Sequence, residues 1–229
     1  GVATTRIQCW AFALMLAQLQ QQLSGVYDFD VHYPIDDFLL HDPVHAAVLA
    51  GDSFQHSPEQ LLVAESNGEL EISLFLHQKL MDALHDDNPT DRLHAANLNS
   101  FLMAVEGVSH FVHTAWHAEH DRPITQLELE LIAEVDKFLS TVALVKQQQE
   151  GTSAAAIHQT LFNNFQVRPE LGNAVKDRYQ LANKLASQYC AHLERSHAVE
   201  SRNIGLLREL RRFCRLSKTE KIRRISQHH

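Results

Sequence analysis

The sequence predicts a mainly α fold, a multi-helix bundle with one small β-hairpin at about residues 60–76. Three observations carry that prediction. Apolar residues make up 45% of the 229-residue chain, the ordinary share for a globular protein. Only 8 Gly and 6 Pro interrupt it, too few for a loop-rich β fold. Long stretches space their apolar residues three and four apart, the period of a helix with one buried face. The length fits one helical domain over residues 1–229, with 201–229 as a basic helical segment packed on it.

The first helix is expected over residues 5–23. Cys9, Phe12, Leu16, Leu19 and Leu23 form one stripe, Gln18, Gln20, Gln21 and Gln22 continue the helix in polar form, and Gly25 ends it. Its apolar stretch, CWAFALMLA, is too short to span a bilayer and reads as a core helix rather than a leader or anchor. Residues 26–58 are irregular, interrupted by Pro34, Pro43, Gly51 and Pro58, with helical turns at 37–41 and 44–50. The β signal follows. Residues 60–65 and 70–76 flank Asn67-Gly68, whose positive φ angles suit a type I′ hairpin turn. Leu70, Ile72, Leu74 and Leu76 alternate with Glu71, Ser73 and Phe75, as in a strand buried on one face. A lone hairpin is marginal in water, so it must pack on helices or pair with another strand.

After a short helix to about Leu84, residues 85–90 break the pattern. Asp86, Asp87 and Asp91 read as turn residues rather than magnesium ligands, because Asn88 and Pro89 place them in a loop where Thr90 or Asp91 caps the next helix. That helix is expected over 91–120, with Leu98, Phe101, Leu102, Val105, Val112 and Trp116 along its apolar arc. Asp121-Arg122-Pro123 ends it. Thr125 and Glu128 then have capping-box spacing for a helix carrying Leu127, Leu131, Val135, Phe138, Val142 and Val145, so the two helices read as an αα-hairpin. Further helices are expected over 152–165, from Pro169 through Leu193, over 202–216 and over 218–226.

Charge divides the chain. Residues 201–229 hold nine Lys/Arg and two Asp/Glu, whereas residues 1–200 hold eleven and twenty-six. Cys9, Cys190 and Cys214 are odd in number and far apart, which disfavours a disulfide framework or thiolate zinc site and suits a reducing, cytoplasmic setting.

The most suggestive chemistry is a row of one glutamate and four histidines, Glu106, His110, His113, His117 and His120, spaced four, three, four and three. At ~100° per residue these lie on one helix face. Imidazole binds zinc or iron, and carboxylates complete many such sites. If the chain reverses near Pro123, His117 comes level with Glu130 and His113 with Glu134. The predicted metal set is therefore His113, His117, Glu130 and Glu134, flanked by Glu106, His110 and His120, with Zn or Fe as the cofactor. The competing reading makes the row the hydrated edge of a half-buried helix. The sequence has no His-Glu-x-x-His, Gly-x-Ser-x-Gly or dinucleotide fingerprint, and Glu106 to His110 misses the Glu-x-x-His spacing of di-iron bundles.

The leading functional expectation is a binding or interaction role without catalysis, with a protein partner or homo-oligomer and no membrane. The first alternative is a metal-dependent hydrolase or oxidase using the His/Glu site. The second is an accessory protein that contacts nucleic acid through Arg208, Arg211, Arg212, Arg215, Lys218, Lys221, Arg223 and Arg224.

Overall fold

The computed structural model describes residues 2–51, 54, 57–66, 69–148, 151–169, 171–201 and 203–227. Among them are nine α-helices and a three-stranded sheet, so the fold is mainly α with a small β element, as the sequence predicts. No helix among the described residues is long and apolar enough to cross a membrane. Contacts divide the chain into two compact units. Unit 1 comprises Gly1–Ser24 and Asp30–Arg122, and unit 2 comprises Gly25–Phe29 and Pro123–His229.

The chain opens with helix α1 (Val2–Tyr27). Phe12, Leu16, Leu19 and Leu23 are buried as the stripe predicts, while the Cys9 side chain lies outside the described residues. Gly25 does not stop this helix. A glycine inside a helix weakens it without ending it, and the stop comes at Asp28, which takes the left-handed φ of 58°. Gln20, expected among the polar positions, is buried. Its amide donates to the Tyr33 carbonyl (2.6 Å) and accepts from the Ile35 N–H (2.9 Å), which ties down the following loop.

Unit 1 is built around the sheet. Residues 35–38 form a 3₁₀ turn, β1 (Leu39–Leu40) follows, and α2 (Pro43–Ala50) starts from the Asp42 side chain, which accepts from the Val44 N–H. Strands β2 (Glu59–Ser66) and β3 (Glu69–Leu76) pair antiparallel, and β1 adds to β3 in parallel. The Asn67-Gly68 turn lies outside the described residues. The one-sided burial expected of β3 holds only in part. Leu74 and Leu76 are buried, and so is Phe75 on the opposite face, where it packs with Leu62 of β2 and Ala46 of α2. Helix α2, expected as a helical turn at 44–50, covers that second face.

Helix α3 (Gln78–Asp86) leads to a loop and then to α4 (Leu98–Glu119). The expected start of α4 at 91 is seven residues early. Asn97 donates to the carbonyls of Arg92 (2.8 Å) and Asp87 (3.3 Å) and accepts from the His94 N–H (2.9 Å). These bonds give the backbone of 91–97 turn partners in place of helical ones. Helix α4 lies on the β3 face opposite α2, with Gly107 against Leu74.

Unit 2 is helical. Helix α5 (Gln126–Gln147) begins with the predicted capping box, in which Thr125 Oγ1 accepts from the Glu128 N–H while the Glu128 carboxylate accepts from the Thr125 N–H. Helix α6 (Ala154–Asn163) follows, then α7 (Asn173–Ser196), which begins after its N-cap Gly172 rather than at Pro169; ahead of it the Leu171 N–H donates to the Arg168 carbonyl. Phe138 of α5 meets Phe162 of α6 at 6.3 Å. Helices α8 (Ile204–Cys214) and α9 (Lys218–Gln227) complete the unit. Tyr189 of α7 stacks on Phe213 of α8 at 3.8 Å, and its hydroxyl donates to Glu209.

Half of the basic tail is engaged inside unit 2. Arg211 donates to the carbonyls of Gly25 and Val26, Arg215 donates to that of Asp28, Arg224 grips Glu209, and buried Lys221 pairs with Glu128 at 3.0 Å. Arg208, Arg212, Lys218 and Arg223 remain exposed.

Candidate metal centre

The histidine row is not a hydrated edge. His110, His113 and His117 are buried, His113 completely, while Glu106 is half-buried and only His120 is exposed. Burying imidazoles is costly unless their nitrogens are used, so each ring reports a specific environment.

The two C-terminal members of the row finish α4. His117 Nδ1 lies 3.1 Å from the Arg122 carbonyl, and the Arg122 N–H donates to the His117 carbonyl at 2.9 Å. A carbonyl only accepts, so Nδ1 carries the proton and Nε2 is the basic nitrogen of the neutral ring. His120 Nδ1 donates to the Trp116 carbonyl (2.8 Å), and the ring stacks on the Trp116 indole at 4.4 Å. The Arg122 guanidinium also lies over this indole, 5.6 Å from its centroid.

The predicted set of four falls on two units. His113 and His117 belong to unit 1, whereas Glu130 and Glu134 belong to unit 2. There, Glu130 faces Arg178 at 3.7 Å and Glu134 accepts from Lys137 at 2.7 Å. They are part of a buried acidic run on α5. Glu128 pairs with Lys221, and Asp136 accepts from the Tyr27 hydroxyl at 2.5 Å.

The structure gathers a different set inside unit 1. Glu106 and His110, both named as flanking candidates, are joined by Glu59, and the donor atoms of these three all lie within 4.8 Å of one another. Glu106 and His110 are one helical turn apart, so the spacing that misses the di-iron motif still places both donors on one face. Glu59 is the first residue of β2. It has the parity of Leu61, which pairs with Leu74, so it shares the sheet face turned to α4. His110 Nδ1 and Glu59 Oε1 are 3.9 Å apart. Zinc and iron hold such donors at about 2.0–2.2 Å, so two donors on one ion stand about 3–4 Å apart.

The donor types fit the group. Two carboxylates and one imidazole suit Zn(II), Fe(II) or Mn(II) and do not suit Cu(I), which prefers sulfur. Unit 1 is strongly acidic, with sixteen Asp/Glu against four Lys/Arg, and its field favours a cation. Two neighbouring carboxylates with little access to water repel one another, and a divalent ion removes that repulsion.

Sequence reasoning missed Glu59 because the hairpin was expected to begin at residue 60. The available signal was strand parity with Leu61 and Val63. No family model matches the chain, and neither a curated protein nor a solved structure matches it.

Proposed function

We propose that this protein binds a first-row divalent transition metal, Zn or Fe, through Glu59, Glu106 and His110, and that the metal centre is the seat of its function. The observation that carries the reading is the convergence of three donors from a strand and a helix within 4.8 Å, two of them buried. Three protein donors leave coordination positions for water or a substrate, the arrangement of reactive rather than closed structural sites. When bound, such an ion supplies Lewis acidity or an activated water, which is the chemistry of a hydrolase or oxidase. The chain's own part is to present the donors from a strand and a helix. The buried thiols of Cys190 and Cys214, neither of them in a disulfide, fit a reducing cytoplasmic setting.

The test is elemental analysis of protein purified without a histidine tag. Close to one equivalent of Zn or Fe is expected, lost in His110→Ala and Glu106→Gln. Sub-stoichiometric Zn, Fe, Mn and Ni in the parent protein sinks the reading. Loss on His113→Ala and His117→Ala, with Glu59→Gln unaffected, assigns the metal to the histidine row without Glu59.

A second reading has its own observation. Helix α2 exposes Val44 at 71% and Val48 at 75%, with Leu49 beside them. This apolar face supports a protein-interaction role, either alongside the metal or without it. Nucleic-acid contact has weaker support, because Arg211, Arg215, Lys221 and Arg224 are engaged within unit 2.

A further inference from the structure

We infer that Gly107 is a positioning residue for the metal centre, holding open the space into which the Glu59 carboxylate reaches. The inference rests on the metal reading above. Glu59 alone among the three donors comes from outside α4, so its reach across to the helix decides whether the set closes. Gly107 sits between Glu106 and His110 on the helix surface that receives it. A Cβ placed at Gly107 would stand 2.9 Å from Glu59 Oε2 and 3.1 and 3.4 Å from the two methyl carbons of Leu74. The first distance is closer than side-chain atoms tolerate, and the others are tight. Gly107 is mid-helix with an ordinary helical backbone, so backbone conformation does not require glycine here. The space does.

The two neighbours respond differently to an added methyl. Leu74 is completely buried and can move only a little. The Glu59 oxygen is the far end of a longer side chain and yields by rotating away. A methyl at 107 therefore turns one metal donor out of the set at small cost to the fold. Alanine also favours helix over glycine, which offsets part of the packing strain. A glycine kept only for packing would behave in the opposite way, with stability falling and metal affinity unchanged.

The experiment uses the full chain, stripped of metal by chelation and titrated with Co(II), whose visible spectrum reports coordination. The variants are Gly107→Ala, Glu59→Gln, and Gly107→Ala with Leu74→Val. Gly107→Ala is expected to weaken Co(II) binding about 10–100-fold, the range for disturbing the support of a metal ligand. The spectrum should shift as it does in Glu59→Gln, and the metal-free melting temperature should stay within a few degrees. Leu74→Val removes both crowded methyls, so the double variant keeps only the clash with Glu59. It folds even if the single variant does not, and its Co(II) binding should remain weak. Co(II) binding by Gly107→Ala within twofold of the parent overturns the inference. So does recovery of parental affinity in the double variant, which would assign the glycine to Leu74 packing. Absence of Co(II) binding in the parent protein removes the metal reading itself, and the inference with it.

Discussion

Replacing Lys221 by methionine isolates the ion pair that seats α9 in unit 2. Methionine keeps most of the aliphatic stem but removes the ammonium. Lys221 is 0% exposed, and its Nζ donates to Glu128 Oε1 at 3.0 Å and to the Leu216 carbonyl. Losing one member of a buried pair costs about 3–5 kcal/mol, chiefly because the other charge stays buried. Here Glu128 Oε2 keeps its bonds from the Thr125 N–H (3.0 Å) and hydroxyl (2.8 Å), which places the loss near the lower end, about 3 kcal/mol. At about 2–4 °C per kcal/mol for a chain of this size, the melting temperature falls by about 6–12 °C. Glu128→Gln added to Lys221→Met removes the stranded charge and should recover part of the loss.

The pH dependence provides a sign to check. Burial alone would raise the Glu128 pKa, but the Thr125 and Lys221 hydrogen bonds outweigh it, and the net shift is downward. A carboxyl lowered on folding contributes stability that is complete above its unfolded value, about 4.3, and that disappears as pH falls through the folded value. The gap between parent and Lys221→Met should therefore be widest at neutral pH and shrink below about pH 4. Urea denaturation followed by circular dichroism between pH 7 and pH 3 measures it. A loss under about 1 kcal/mol at pH 7, or a gap that does not change with pH, would refute the buried-pair account.

Two other outcomes are expected. Metal affinity should fall steeply as pH drops below the ordinary imidazole range, because His110 must shed its proton to coordinate, and a pH-independent Zn(II) affinity would exclude it as a ligand. Burial, and then the neighbouring Glu194, Glu134 and Asp136, hold the Cys190 thiol well above its usual pKa. In a Cys9→Ser background, Ellman's reagent at pH 8 should detect no thiol in folded protein and two after denaturation. Prompt reaction without denaturant would contradict the burial of Cys190 and Cys214.

The parts of the fold legible in the sequence are those written locally. Thr125 and Glu128 mark the start of α5 because a capping box is a contact between residues three apart. The alternation from Leu70 to Leu76 marks β3 for the same reason. The errors sit where a distant residue decides the outcome. Phe75 is buried because α2 arrives over it, and Asn97 delays α4 because its amide finds the carbonyls of Arg92 and Asp87. The histidine row was legible as a row, but its burial depends on packing that periodicity does not encode. The candidate centre was half legible. Glu106 and His110 share a helix, whereas Glu59 lies 47 positions before Glu106 and enters only through sheet register.

Residues 25–29 give the chain an interleaved order of assembly. Tyr27 reaches Asp136 across 109 positions, and Arg211 reaches Val26 across 185. During synthesis this short segment emerges before all of residues 30–122, and its partners come last. Unit 2 thus cannot close around its own N-terminal contribution until a very long loop has been drawn together, a slow step in a helical protein. A fragment beginning at Pro123 would lack the Tyr27 hydroxyl and the carbonyls that Arg211 and Arg215 bind, and a peptide carrying residues 25–29 should complement it in trans.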